Sequence, residues 1–496
     1  MLVPARRVLQ GLNYEFAKLQ SFFADSNVDG SAALSITASL QTLLNRELGG
    51  AAAIYAQVDR LDAALNEVNG LLDASAPDIS ADIGVIRAQL AGLKSVKVVT
   101  DLEQGWLAAL ERAQTMMIKM IGVSAIPAAA KKSISAKLVA WESGDLFGQA
   151  ESTKIEGKAE VSTDVTAENL AAYLQDRFKE PGLKVTSFMP LAGGFGKHTI
   201  MFAVEGKALS GEFVMRRDMG DLPTIANDCH RGKDEYPVVK AAHARGFPAP
   251  DALWLDTEHK LLPGGDFFIM RRALGKLPGN FFGARTAVPP SLTDALADIM
   301  ARLHTLPPLT ELGDLTDSIR LDWWKLSKRE ATERYIRGWY ELYLRSENMP
   351  SPSMIAIFGW LLDNLPDRAG PPSFLHGDIG FHNFLFHEDK LSAALDWEFA
   401  HIGDPAEELG MVKVTVGASI EWDQLMKRYI AGGGEPVDDK TLRYFQVWGY
   451  ARNAAASNMC SMLFTNGNVN DLKLTFLPYA HFPNFIRFAQ ALIDGA

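Results

Sequence analysis

The chain reads as an α+β protein, in which an additional N-terminal all-α domain precedes a strand-rich part and a helix-rich part. Three observations predict this. Ile54, Val58, Leu61, Leu65, Val68 and Leu72 recur at alternating spacings of four and three, the period of one helix face. From Leu183 to Arg272 the apolar runs are short and bounded by turn residues, as in strands. From Asp294 the helical period returns, with Leu296, Ile299, Met300 and Leu303 on one side.

A length of 496 residues exceeds one domain, and a hydrophobic share of 47% can fill a core. The expected boundaries are a helical domain at 1–150, a linker at 151–165, a strand-rich lobe at 166–272 and a helical lobe at 273–496. Further helices are expected near 80–95, 102–122 and 125–145. The 54–72 face is too short to define a coiled coil. It suits packing in a local bundle and leaves open a homodimer through this domain. Residues 146–165 are polar and aperiodic, and Thr166 can cap a helix running to Phe178.

The formal charge of −11 argues against a nucleic-acid partner, which demands a basic surface. Cys229 and Cys460 share no CxxC spacing and read as reduced, buried thiols. The residues after Arg6 and Arg7 lack the apolar core of a signal peptide, and no apolar run reaches spanning length. The expectation is a cytoplasmic protein without a membrane partner.

In the strand-rich lobe, Val185–Leu191 and Thr199–Val204 flank the turn Leu191-Ala-Gly-Gly-Phe-Gly-Lys-His198. Gly193 and Gly194 would let backbone approach phosphate closely, although a plain hairpin turn fits the same residues. Glu212–Arg217 and Asp266–Arg272 read as further strands, with a helix from about Lys233 to Arg245 between them. The helical lobe opens with Asp294–His304 and a long aromatic stretch at Arg320–Leu344.

The segment Ser373-Phe-Leu-His-Gly-Asp-Ile-Gly-Phe-His-Asn-Phe-Leu-Phe386, followed by Ala394-Leu-Asp-Trp-Glu398, carries the chemistry. Phe384–Phe386 and Leu391–Leu395 form a predicted hairpin that returns Asp396 to Asn383. Singly, Asp378, Asn383 and Asp396 suit turns and caps. Together they supply what phosphoryl transfer needs: a carboxylate for a hydroxyl, and hard oxygens for a divalent ion.

These segments resemble the aminoglycoside phosphotransferase family, a branch of the protein-kinase-like fold. The motif style is closest to the phosphotransferases associated with acyl-CoA dehydrogenases. The resemblance is strongest over 371–410 and good over 186–272. It implies a bilobal protein-kinase-like fold, with an antiparallel-sheet amino lobe and a helical carboxyl lobe. It implies that Asp378 is the catalytic base and that Asn383 and Asp396 are Mg²⁺ ligands. Gly193 and Gly194 would lie over the phosphates of ATP, with Lys197 or His198 adding a contact. Arg216 would stand where protein kinases carry a phosphate-binding Lys, paired with Glu235, with Asp234 the competing acid. Met270 would lie at the adenine, His304 would be structural, and Glu408 would brace the catalytic loop in place of the usual Asp. Gly377 stands where protein kinases carry the Arg that reads activation-loop phosphorylation, so no such switch is expected. The implied activity is ATP- and Mg²⁺-dependent transfer of the γ-phosphate to a small-molecule hydroxyl. A hydroxylated catabolic intermediate or hydroxyacyl-CoA comes first as acceptor, and an aminoglycoside or amino alcohol second. The reading from another class is a nucleotide-binding scaffold without turnover.

Overall fold

The computed structural model describes residues 30–72, 76–123, 126–144, 165–191, 197–218, 231–258, 260–262, 264–278, 287–388, 390–465 and 481–495. The helices up to the first strand are α1 (Gly30–Leu71), α2 (Pro77–Leu93), α3 (Val99–Ile121), α4 (Ala128–Glu142) and α5 (Ala167–Phe178). Then come β1 (Lys184–Leu191), β2 (Lys197–Glu205), β3 (Gly211–Asp218), α6 (Gly232–Ala244), β4 (Ala252–Asp256) and β5 (Phe267–Arg271). The remainder is α7 (Pro290–His304), α8 (Lys328–Ser346), α9 (Pro352–Asp363), β6 (Ser373–Leu375), β7 (Phe384–His387), β8 (Lys390–Ala394), β9 (His401–Gly403), α10 (Ala406–Val416), α11 (Trp422–Ala431), α12 (Asp439–Thr465) and α13 (Phe482–Asp494). No helix among the described residues is long and apolar enough to cross a membrane.

Contacts gather the chain into two compact units, one from 1–158, 343–364 and 447–496, the other from 159–342 and 365–446. The first is helical. Ile54, Val58, Leu61, Leu65 and Val68 are buried along α1, on the face that their spacing predicts. Ser351 caps α9 by accepting from Met354 N at 3.1 Å, and Pro352 suits the first turn. Most α9 residues are buried, and Gly359 lies so close to α3 that an added Cβ would stand 2.6 Å from Ile121. Ser135 of α4 donates to Gln490 of α13 at 2.6 Å. Residues 343–364 and 447–496, which the expected boundaries include in the span 273–496, have their contacts grouped with those of α1–α4. Tertiary packing of this kind leaves no mark in local periodicity.

The second unit begins with α5, whose start is the predicted Thr166. The Thr166 hydroxyl accepts from Asn169 N at 3.3 Å, and Asn169 Oδ1 accepts from Thr166 N at 2.8 Å. Next comes a five-stranded antiparallel sheet in the order β1-β2-β3-β5-β4. Ile200, Phe202, Val204, Phe213, Met215, Phe267 and Ile269 share one core with Leu170, Tyr173 and Leu174 of α5. Each such buried side chain contributes about 1.5–3 kcal/mol. The alternate residues take the other face, where Thr199 pairs with Arg216, Arg216 with Phe268, and Val214 with Met270. Helix α6 lies on that side, its Tyr236 ring 6.0 Å from Phe268.

The second half of the unit is helical, with two short antiparallel pairs, β6–β9 and β7–β8. The expected helix at 320–344 is broken. A short 3-10 turn at Leu321–Lys325 precedes α8, because Ser327 and Glu330 start a new helix there. Glu330 accepts from Ser327 N at 2.7 Å, and the Ser327 hydroxyl accepts from Glu330 N at 3.2 Å. Cys460 is half-buried, not buried, and Cys229 lies outside the described residues.

Candidate active site

The β7–β8 hairpin does what its sequence predicts. Leu395 N, just past β8, donates to Asn383 O at 2.7 Å and sets Asp396 beside the 3-10 turn Phe381–Asn383. The Asn383 amide nitrogen donates to Asp378 O at 2.9 Å and to Asp378 Oδ2 at 3.0 Å. His382 Nε2 lies 3.2 Å from the same Oδ2, and the Asp378 side chain remains 30% exposed. Asp396 adopts a left-handed backbone with φ of +63°, a conformation that Asp tolerates better than most residues.

Backbone bracing holds this loop. His376 Nε2 donates to Leu395 O at 2.8 Å, and its Nδ1 accepts from Asp378 N at 3.3 Å. Burial lowers the His376 pKa, in keeping with the neutral ring that this pattern requires. Gly377 N donates to Glu408 Oε1 at 2.8 Å, while Glu408 Oε2 meets His304 Nε2 at 2.7 Å and His304 Nδ1 meets the Tyr429 hydroxyl at 2.8 Å. Burial pushes the Glu408 pKa up, but His304, His376 and the Gly377 N–H together outweigh it and the net shift is down. Gly377 has φ of +80°, and an added Cβ would stand 2.0 Å from Phe399 O. No side chain fits there, Arg least of all. Further on, Asp404 accepts from Arg368 Nε at 2.9 Å and from Ala406 N at 3.0 Å, which pins the Gly403-Asp-Pro405 turn to α10.

The cations come from the sheet. Arg216 Nη2 donates to Asp396 Oδ1 at 2.7 Å, while its Nε stands 3.5 Å from Glu235 Oε2, too long for a hydrogen bond. Of the two competing acids on α6, Glu235 is the one that reaches Arg216. Asp218 holds the start of α6 by accepting from Gly232 N at 3.0 Å, a favourable place for a carboxylate. Lys197 is the nearer partner of Glu235, at 3.1 Å, and also donates to Glu398 at 2.7 Å. Its side chain is 2% exposed and bridges two carboxylates. Glu235 Oε1 accepts from Trp397 N at 3.2 Å, and the buried Trp397 ring packs against Phe247, Phe374 and His376.

These charges set one another's state. Burial pulls the Lys197 pKa down, but Glu235 and Glu398 outweigh it and the ammonium stays charged. Burial lifts Asp396, yet Arg216 and Lys197 hold it below the usual carboxylate range. Burial raises Glu398 above its usual value.

Met270 is buried on the same sheet face as Arg216. Gly193 and Gly194 lie outside the described residues. Sequence reading missed Lys197 and Glu398 as a bridge. The available signal was strand alternation, which puts Lys197 on the face opposite Ile200, Phe202 and Val204.

The model of the phosphotransferase enzyme family matches residues 188–445. A 252-residue stretch, 49% of this chain and 30% of the relative, is 26% identical to acyl-CoA dehydrogenase family member 11 of Homo sapiens. The chain thus spans less than a third of that relative's length. A 77-residue stretch, 15% of this chain and 24% of the relative, is 34% identical to viomycin phosphotransferase of Streptomyces vinaceus. Among solved structures, a candidate aminoglycoside phosphotransferase of Ralstonia eutropha JMP134 is 18% identical with a TM-score of 0.49, covering 67% of this chain and 99% of that one. With more than half of its length matched by the family model, this chain belongs to the phosphotransferase enzyme family.

Proposed function

We propose that the protein is an ATP- and Mg²⁺-dependent phosphotransferase that moves the γ-phosphate to a hydroxyl of a small molecule. The observation that carries this reading is the oriented Asp378 carboxylate, fixed through Oδ2 by Asn383 and His382 while its side chain stays accessible. In this reading Asp378 aims the acceptor hydroxyl and takes its proton. Arg216, supported by Glu235, grips the α- and β-phosphates. The Gly193–Gly194 turn covers them, and the adenine rests near Met270.

Asn383 and Asp396 fit a magnesium ion. Asn383 spends its amide nitrogen on Asp378, which leaves the amide oxygen as the ligating end. Asp396 is kept ionised by Arg216 and Lys197. Among the described residues no three His, Cys, Asp or Glu side chains gather into a metal cage. Two protein oxygens, with phosphate and water completing the shell, is the usual way Mg²⁺ is held. When bound, the ion offsets negative charge on the transferring phosphate.

The acceptor proposed first is a hydroxylated catabolic intermediate or hydroxyacyl-CoA, supported by the similarity to acyl-CoA dehydrogenase family member 11. An amino alcohol or aminoglycoside is second, supported by the shorter match to viomycin phosphotransferase. ATP consumption across a panel of hydroxyl compounds tests both. On the acceptor so found, Asp378→Ala should lower kcat by on the order of 10²–10⁴-fold with nucleotide affinity retained. Nucleotide binding with transfer to no acceptor would replace this reading with a scaffold.

A further inference from the structure

In the protein-kinase scheme one strand Lys does two jobs: it pairs with a helix Glu and it touches phosphate. Here two cations stand side by side. Lys197 pairs in register with Asp218, and Thr199 with Arg216, so Lys197 and Arg216 are diagonal neighbours on one sheet face. The core of the sheet lies on the other face, around Ile200, Phe202 and Val204. Lys197 is therefore not buried by the apolar core. On its own face it is paired with Glu235 and Glu398, at 3.1 and 2.7 Å.

The two cations are held differently. Lys197 has a close carboxylate on either side, and all three side chains are at most 14% exposed. Arg216 has one short contact, Nη2 to Asp396 Oδ1 at 2.7 Å, with Glu235 and Glu398 farther off at 3.5 and 3.7 Å. That contact occupies the carboxylate which, in the proposed function, receives the metal.

We propose that Lys197 is a positioning residue that takes over the helix-Glu pairing, tying α6 to the Asp-Trp-Glu segment, and so leaves Arg216 free to pass from Asp396 to nucleotide phosphate. This rests on the proposed nucleotide site. The division of labour follows from geometry. Glu235 lies closer to Lys197, at 3.1 Å, than to Arg216, at 3.5 Å, so the tie between α6 and the sheet does not depend on Arg216. Both other acids near Arg216, Glu235 at 3.5 Å and Glu398 at 3.7 Å, are held more closely by Lys197, at 3.1 and 2.7 Å.

The test measures binding of ADP to the full-length chain by calorimetry, at increasing magnesium. Failure of the wild type to bind would sink the nucleotide site itself and leave Lys197 without a role. With wild-type binding in hand, Lys197→Met should weaken ADP binding at saturating magnesium by about 5- to 150-fold, the usual range for coupling between two sites. In that variant Arg216 falls back onto Glu235 and Glu398 and vacates Asp396. The magnesium concentration giving half of the binding should therefore fall while ADP binding weakens. A merely structural Lys197 would weaken both together, and that result overturns the proposal, as does unchanged ADP affinity. Should Lys197→Met not fold, the double variant Lys197→Met, Glu398→Gln removes one charge of each sign and is held to the same opposed shifts.

Discussion

The two units bury carboxylates in different ways. In the second unit acids come with a cation or an imidazole: Lys197 with Glu235 and Glu398, Arg368 with Asp404, His304 with Glu408, and His401 with Glu407. In the helical unit, Gln114 donates to Glu347 at 2.6 Å and Ser353 N donates to Glu142 at 3.2 Å. Burial lifts the Glu347 pKa to about 7 and raises that of Glu142. Glu408 and Asp396 move the other way, while burial still raises Glu398 beside Lys197 and lifts Asp218, held by Gly232 N, to about 6. Where a carboxylate has to stay charged to do its work, the chain supplies a positive partner. Where it only closes a polar gap between helices, neutral donors suffice and a proton completes the job.

Three changes can break or sharpen that contrast. The largest effect is expected from Glu408→Ala, which strands His304 and Gly377 N in the interior. Removing one partner of a buried pair costs about 3–5 kcal/mol, read from denaturant unfolding. A loss near that of a surface substitution would mean that the charge at 408 is dispensable. The next effect concerns pH. Glu347 has a native pKa of about 7 against an ordinary 4.5, so between these values the folded state keeps a proton that the unfolded chain has released. Stability then falls as pH rises through that window, by on the order of 3 kcal/mol over its full width. Glu347→Gln should flatten that slope and raise the melting temperature above pH 7. An unaltered slope would put Glu347 among ordinary surface acids. The smallest effect is a control. Arg428 reaches Asp294 and Asp298 from an exposed position, and Arg428→Ala should leave the melting temperature unchanged within the resolution of a scan. A clear drop would show that burial is not what gives these pairs their weight.

Much of the second unit was legible because its signals are local. Thr166 names its own helix start, alternation names β2 and β3, and the β7–β8 hairpin follows from apolar runs around a turn. Asp378 and Asn383 meet because they lie in one short turn. Lys197 stayed hidden since its partners come from α6 and from the segment after β8, and no local period links them. The same reason hid the grouping of 343–364 and 447–496 with α1–α4. The break before α8 could have been read, because Ser327 and Glu330 stand at capping-box spacing; an aromatic run masked it.

The hairpin that carries Asn383 is also stitched to the amino half of its unit. Ala394 N donates to Pro248 O at 2.6 Å, and Lys276 and Phe386 exchange two backbone bonds of 2.9 Å each. Such paired ties act mechanically as a hinge pin. Any opening of the sheet against the helices has to turn about them or break them. Points beside a pin travel little, and Asn383 and Asp396 flank the strands that bear it. Arg216, on β3, belongs to the sheet that would turn and meets Asp396 at 2.7 Å. Opening and closing would thus carry the sheet's cation to and from a nearly stationary pair of oxygens.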